Sequence, residues 1–169
     1  MQPLPILIYP HEALITPTKK VGDIQTLQIL IDAMIASMHR SEGVGLAATQ
    51  VGQNLRLCVL EHQPDGNDDP LEPVPLQVLA NAKIISRTGG KETVKEGCLS
   101  LPGIEVPVTR SVKIKVRGQD RDGNQIQFRA TGFHARIVQH ELDHLDGILI
   151  IDHAKQPHRV VRDYLQKQA

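Results

Sequence analysis

The run Gln139-His140-Glu141-Leu142-Asp143-His144-Leu145-Asp146-Gly147 constrains this chain more than any other stretch. Wound as an α-helix at about 100° per residue, it sets His140 and His144 one turn apart along the axis and about 40° apart around it. Both imidazoles can then reach one metal ion. Glu141 falls beside them, about 60° from His144, where a carboxylate is well aimed at a water on the metal and poorly aimed to ligate alongside the histidines. A metal, an activated water and a proton carrier make a hydrolytic device. Val138, Leu142 and Leu145 recur at helical spacing, so the core-facing stripe is expected opposite the histidines, with Gln139, Asp143 and Asp146 as a polar flank. Phe133 and Ile137 share the histidine side, and Gly147 stands where a glycine ends a helix. The competing explanation is a structural histidine pair, since eight histidines in one chain give the five-residue pattern some chance of arising without a metal.

At 169 residues the chain is expected to form one domain, residues 1–169, long enough to bury its own core. Nineteen basic residues balance nineteen acidic ones, so no global field draws it to nucleic acid or to an anionic membrane. With no Trp, two Phe and two Tyr, it lacks a base-stacking platform, and direct sequence-specific nucleic-acid binding is not expected. No stretch approaches the about eighteen apolar residues of a membrane span. The opening Met1-Gln2-Pro3-Leu4-Pro5 does not resemble a secretory signal, and a reducing cytoplasm is the expected address, where a free thiolate ligand survives. Of the two cysteines, Cys58 lies in the apolar run Leu55–Leu60 and reads as an inert strand residue. Cys98 lies in a turn bounded by Gly97, Pro102 and Gly103.

Taken in order, Ile6–Tyr9 reads as extended, followed by a single helical turn through Leu14. Asp23 is an expected N-cap for a helix over Ile24–Arg40, with Leu27, Leu30, Ile31, Met34 and Met38 as its apolar stripe. Gly43-Val44-Gly45-Leu46-Ala47-Ala48-Thr49-Gln50 is a run of small residues ending in a long amide. It suits a segment that binds an extended peptide or lines a site, and equally a tight loop on the core. Strands are expected at Leu55–Glu61, Val78–Ser86, Val106–Thr109, Val112–Val116, Gln125–Ala130 and Ile148–Ile151, with turns at Gly89-Gly90 and Asp122-Gly123-Asn124. His62 to Pro75 is a polar excursion. Pro157 opens a last helix over His158–Gln168, whose Arg159, Arg162 and Lys167 outnumber Asp163. The pattern implies an α+β fold of mainly antiparallel short strands around a central metal-binding helix, with an N-terminal helix and a short C-terminal helix.

Catalytic sites of this kind have three protein ligands and one open position, so two histidines need a third partner. Cys98, Asp152, His153 and His134 are the candidates. Cys98 is favoured because its turn would project the thiolate and bring the Leu99 N–H towards a substrate oxygen. Buried small residue and nucleophile are the other readings of that cysteine.

Three motifs, Gly43–Gln50, Glu96-Gly97-Cys98-Leu99-Ser100 and Gln139–His144, occur in the order and with the spacing of the peptide deformylases, and the chain resembles that family from Ile6 to Ile151. The resemblance implies removal of the N-formyl group from the formylmethionine of newly synthesised polypeptides. By motif position, Cys98, His140 and His144 would hold one divalent metal, iron(II) in most of the family, with zinc, nickel or cobalt in some preparations. Glu141 would carry the proton, and the Gln50 amide and Leu99 N–H would stabilise the oxyanion. Gly45 fits pairing with an extended formyl-peptide, and Val44, Phe133 and Ile137 would line the methionine pocket. Phe133 stands where the family often has Leu, and Asn81-Ala82 replaces a common Asn-Pro. Arg110 is expected to pair with Glu96 and support the cysteine turn. N-formylmethionyl peptides and nascent chains are the implied partners, with transient ribosome contact through the basic last helix and no membrane. Two other classes compete: a zinc metallopeptidase of the His-Glu-x-x-His type, which would not need Cys98, and a catalytically silent binding protein.

Overall fold

The computed structural model describes residues 2–64, 66 and 70–168. Among the described residues, five antiparallel strands pair in sequence order: β1 Gly45–Ala47, β2 Leu57–His62, β3 Val74–Glu96, β4 Val106–Gln119 and β5 Gln125–Thr131. Each strand doubles back on its predecessor, and Gly123, at φ 86°, supplies the left-handed residue between β4 and β5. The helices are α1 Gln28–Arg40, α2 Gly132–Leu145 and α3 Pro157–Gln168. This is the expected α+β arrangement, with the histidine helix α2 against the sheet and the other two helices flanking it. No helix of the described residues is long and apolar enough to cross a membrane. The sequence reading of the polar excursion falls partly on Asp65, Asn67, Asp68 and Asp69, and that of the N-terminus on Met1, which lie outside the described residues.

Several expected boundaries move. The strands are not all short: β3 runs for 23 residues and β4 for 14, so the two segments expected at Val106–Thr109 and Val112–Val116 are one strand. Gly89-Gly90 is not a turn. Both glycines have positive φ, 76° and 79°, and the β3–β4 register shifts between Thr88 and Lys91. They form a bulge, which absorbs an extra residue without reversing the chain. Beside this irregularity the Gln139 side chain bonds both backbone groups of Ser111, accepting from its N–H at 3.1 Å and donating to its carbonyl at 2.9 Å. Ile148–Ile151 is not a strand either, because the Asp152 carboxylate accepts from Leu149 N–H at 2.8 Å and closes a 3-10 turn over Ile150–His153. Asp23 does cap a helical start, accepting from Gln25 N–H at 2.9 Å, but the first turn, Ile24–Leu27, is 3-10 and the α-helix begins at Gln28.

The core divides across the sheet. On one face Val138, Leu142 and Leu145 of α2 pack with Leu60, Ile114, Val116 and Ala130. On the other, Ile31, Met34 and Met38 of α1 cover Leu57, Val59 and Val78. The histidine side of α2, expected to lie away from the buried stripe, is buried too: Glu141 is 3% exposed and His144 1%. The turn after β3 and strand β1 pack over it, while His140 stays partly exposed. Its C-terminus ends in a Schellman closure, with Gly147 N–H donating to His144 O at 3.1 Å and Ile148 N–H to Asp143 O at 2.9 Å. The N-terminal segment clasps the same end: the Thr18 N–H and hydroxyl both donate to Leu145 O, at 2.9 and 2.8 Å. α3 buries Tyr164 among Leu101, Leu149 and Ile151, and Arg159 and Arg162 share Asp163 at 3.7 and 3.4 Å.

Candidate active site

Two distant segments meet at one point. The turn following β3 carries Cys98, α2 carries His140 and His144, and one ligand atom from each lies within 4.8 Å of the others. Cys98 Sγ is 3.3 Å from His144 Nε2, and the two imidazole rings are 5.0 Å apart, tilted by 67°. The turn is fixed by Leu101 N–H donating to Cys98 O at 2.9 Å and by Tyr9 N–H donating to Ser100 O at 2.9 Å. The other third-ligand candidates are engaged elsewhere. His134 stacks on Phe128 and contacts Gln77 at 3.1 Å, His153 contacts Asp143 at 2.8 Å, and Asp152 caps its own turn.

Glu96 organises the trio from behind. Its carboxylate takes two bonds from Arg110 at 2.8 Å, one from Arg136 at 2.7 Å, and faces His140 Nδ1 at 3.0 Å. Burial alone would raise its pKa, but the bonds from His140 and Arg110 hold it well below the usual carboxylate range. A carboxylate at Nδ1 keeps the proton on that nitrogen and leaves the Nε2 lone pair for the site. Arg110 continues to Asp143 at 2.6 Å, and Asp143 to His153. The expected Glu96–Arg110 pair is therefore part of a chain of hydrogen bonds running from His140 to the partly exposed His153.

The donor set fits a divalent cation. Burial pushes His144 well below its ordinary value, so its imidazole is neutral with a lone pair to give. At His140 burial opposes charge, yet hydrogen bonds to Cys98 and Glu96 outweigh it and push the ring up to about 10. That pull towards positive charge is the field a cation would answer. One thiolate and two imidazoles suit iron, zinc or cobalt rather than magnesium or calcium.

Beside the trio, burial pushes the Glu141 carboxyl up to about 7, and its Oε2 has no hydrogen-bond partner among the described residues. Gly45 is a glycine for a steric reason, because a Cβ there would fall on the Glu141 carboxylate. Gln50 is 2% exposed. Its Oε1 accepts from Ala47 N–H at 2.8 Å, which turns Nε2 towards Ser100 Oγ at 3.2 Å and Cys98 Sγ at 3.8 Å. A cleft of about 690 Å³ opens over this group and is bordered by Val44, Gly45, Leu99, Phe133 and Ile137 as well as Cys98, His140 and Glu141. β1 forms one wall as an edge strand, paired with β2 on its other side. The glycine-rich segment thus contains a short strand and a 3-10 turn, Ala48–Val51, that seats Gln50.

Sequence reasoning missed Arg136, Ser100 and the Asp143–His153 contact. Arg136 was within reach of a simple rule: it precedes His140 by one helical turn and so shares its face. Ser100 and the Asp143–His153 contact gave no comparable signal, because only tertiary packing brings Ser100 to Gln50 and His153 to Asp143.

The polypeptide deformylase family matches residues 3–160 of the chain. A peptide deformylase of Dictyoglomus thermophilum is 46% identical over 140 residues, covering 82% of this chain and 84% of its own length. Among solved structures, the Ehrlichia chaffeensis peptide deformylase in complex with actinonin is 32% identical, covers 99% of this chain and 98% of its own, and superposes with a TM-score of 0.88. The Met-Ala-Ser-bound class I type b peptide deformylase of Acinetobacter baumannii is 32% identical, covers 89% and 98%, and has a TM-score of 0.84.

Proposed function

The chain belongs to the peptide deformylase family, and from that premise we propose how its own residues carry out the reaction. The activity is removal of the N-formyl group from newly made polypeptides by a metal-dependent hydrolase. The peptidase alternative is not favoured beside these matches. The observation that carries the residue-level reading is the convergence of one thiol and two imidazoles within 4.8 Å, in a cleft that also holds Glu141.

In this reading Cys98, His140 and His144 hold a single divalent ion, iron(II) by the family resemblance, with zinc, nickel or cobalt able to replace it. When bound, the ion supplies Lewis acidity to a water and to the formyl carbonyl. The formyl-peptide backbone adds to the free edge of β1 at Gly45, and its methionine side chain enters between Val44, Phe133 and Ile137. Glu141 takes a proton from the attacking water as its oxygen bonds the formyl carbon. It returns that proton to the amine as the C–N bond breaks and formate leaves. Gln50 Nε2 and the Leu99 N–H stabilise the charge on the formyl oxygen, about 3 kcal/mol for each donor. Glu96 orients His140, and Arg110 and Arg136 hold Glu96. We further propose that residues 1–169 act as a single catalytic domain in the cytoplasm, with transient ribosome contact.

The test is formate release from formyl-Met-Ala-Ser by anaerobically purified, iron-loaded protein, paired with metal analysis. Stoichiometric metal and steady formate production are expected. Cys98→Ser should lose iron first, and unchanged metal content in that variant would remove Cys98 from the ligand set.

A further inference from the structure

We propose that the outer face of the β3–β4–β5 sheet is a docking surface for the phosphate backbone of structured RNA. The identity of the partner rests on the reading that this chain acts on nascent polypeptides, which emerge beside RNA. The surface itself comes from the charge map. Ile114 and Val116 of β4 face α2, so the two-residue period of a strand sends Lys113, Lys115 and Arg117 to the opposite side. Strand register puts Arg129 of β5 opposite Lys115, and Lys83 of β3 opposite Arg117. Five cations therefore share one face, with Ser86, Thr88, Gln127 and Thr131 as their neutral cross-strand neighbours. α1 lies on this side but covers the β1–β2 half.

None of the five makes an ion pair or a side-chain hydrogen bond among the described residues. By contrast Arg56, Arg110, Arg121 and Arg136 each reach a carboxylate. Like charges directly across a sheet destabilise it. In a chain with equal numbers of acids and bases, carboxylates were available to interleave. A row of cations without carboxylate partners among the described residues suits a polyphosphate. The face carries no aromatic side chain on which bases would stack, so contact through phosphates without sequence preference is the chemistry it offers. A lipid surface fits less well, because the cross-strand neighbours are polar and offer no wedge for the bilayer. α3 is the weaker candidate, since Arg159 and Arg162 share Asp163. The catalytic cleft lies on the α2 side of the sheet, so a molecule docked by the outer face keeps the cleft open to a peptide.

The experiment is fluorescence anisotropy of a labelled RNA duplex titrated with the full-length, metal-loaded protein over a range of salt. If all five cations meet phosphates, the slope of log affinity against log salt is about −4.5, and doubling the salt weakens binding roughly twentyfold. The K113E/K115E/R129E variant should lose roughly tenfold or more in affinity and flatten the slope while releasing formate from formyl-Met-Ala-Ser at the wild-type rate. R159E/R162E should bind RNA as the wild type does. The proposal is overturned by absence of RNA binding at low salt, by unchanged binding in the sheet variant, by loss in the α3 variant alone, or by tighter association with phosphatidylserine vesicles than with RNA. RNA binding by a protein that released no formate would support the docking face and remove only the catalytic reading of the cleft.

Discussion

Arg110 and Arg117 lie on the same strand and live in opposite worlds. Arg110 is 5% exposed and bonds the carboxylates of Glu96 and Asp143; Arg117 is exposed and, among the described residues, has no ion-pair partner. The first has been taken out of water and must be paired, because a buried unpaired charge costs several kcal/mol. The second keeps its water and is free to meet something else. One strand therefore carries charge as internal architecture at its start and as display further on, and the place where an arginine sits decides which.

That contrast has measurable consequences. The steepest lies in the cleft: Glu141→Ala should retain its metal yet lose about a hundred- to ten-thousand-fold in turnover, read by formate release with parallel metal analysis, and full activity would dismiss Glu141 as the proton carrier. Next, Arg110→Ala should cost about 3–5 kcal/mol in urea unfolding, because it strands the carboxylates of Glu96 and Asp143. A cost near zero would break the distinction between the two arginines. Gly45→Ala should fold but push the Glu141 carboxylate aside, lowering turnover roughly a hundredfold; undiminished turnover would show that the carboxylate has other room. Thr18→Val, which removes one hydrogen bond to Leu145 O while keeping the side-chain shape, should cost about 1 kcal/mol. At the small end, Arg117→Ala should stay within about 0.5 kcal/mol of wild type, and a larger loss would mean that the outer face is structural.

Much of this was legible in the residues. The 3.6-residue period placed His140, Glu141 and His144 on one side of a helix, and the structure does bring Cys98 to the two histidines. Glycine signals were harder. Gly123 marks a hairpin and Gly147 a helix end, as their contexts indicate, yet Gly89-Gly90 looks like a turn and is a bulge, because β4 holds register on both sides of it. Ile148–Ile151 has strand composition, but Asp152 offers a local hydrogen bond that closes a turn instead. The burial of the histidine side of α2 could not be read from its own sequence at all, since what covers it is β1 and the cysteine turn. Gly45 is the instructive case: it looked permissive and is in fact sterically required.

The Thr18 clasp on Leu145 joins groups 127 positions apart in the chain. A contact of that span closes a long loop, and the meeting of Cys98 with a histidine pair that follows it in sequence closes a shorter one. On a growing chain Thr18 and Cys98 are made before the α2 groups they meet, so a chain that stops short of His144 holds an incomplete set of candidate ligands. Competence therefore waits on α2, the element that carries two of the three groups gathered at the cleft.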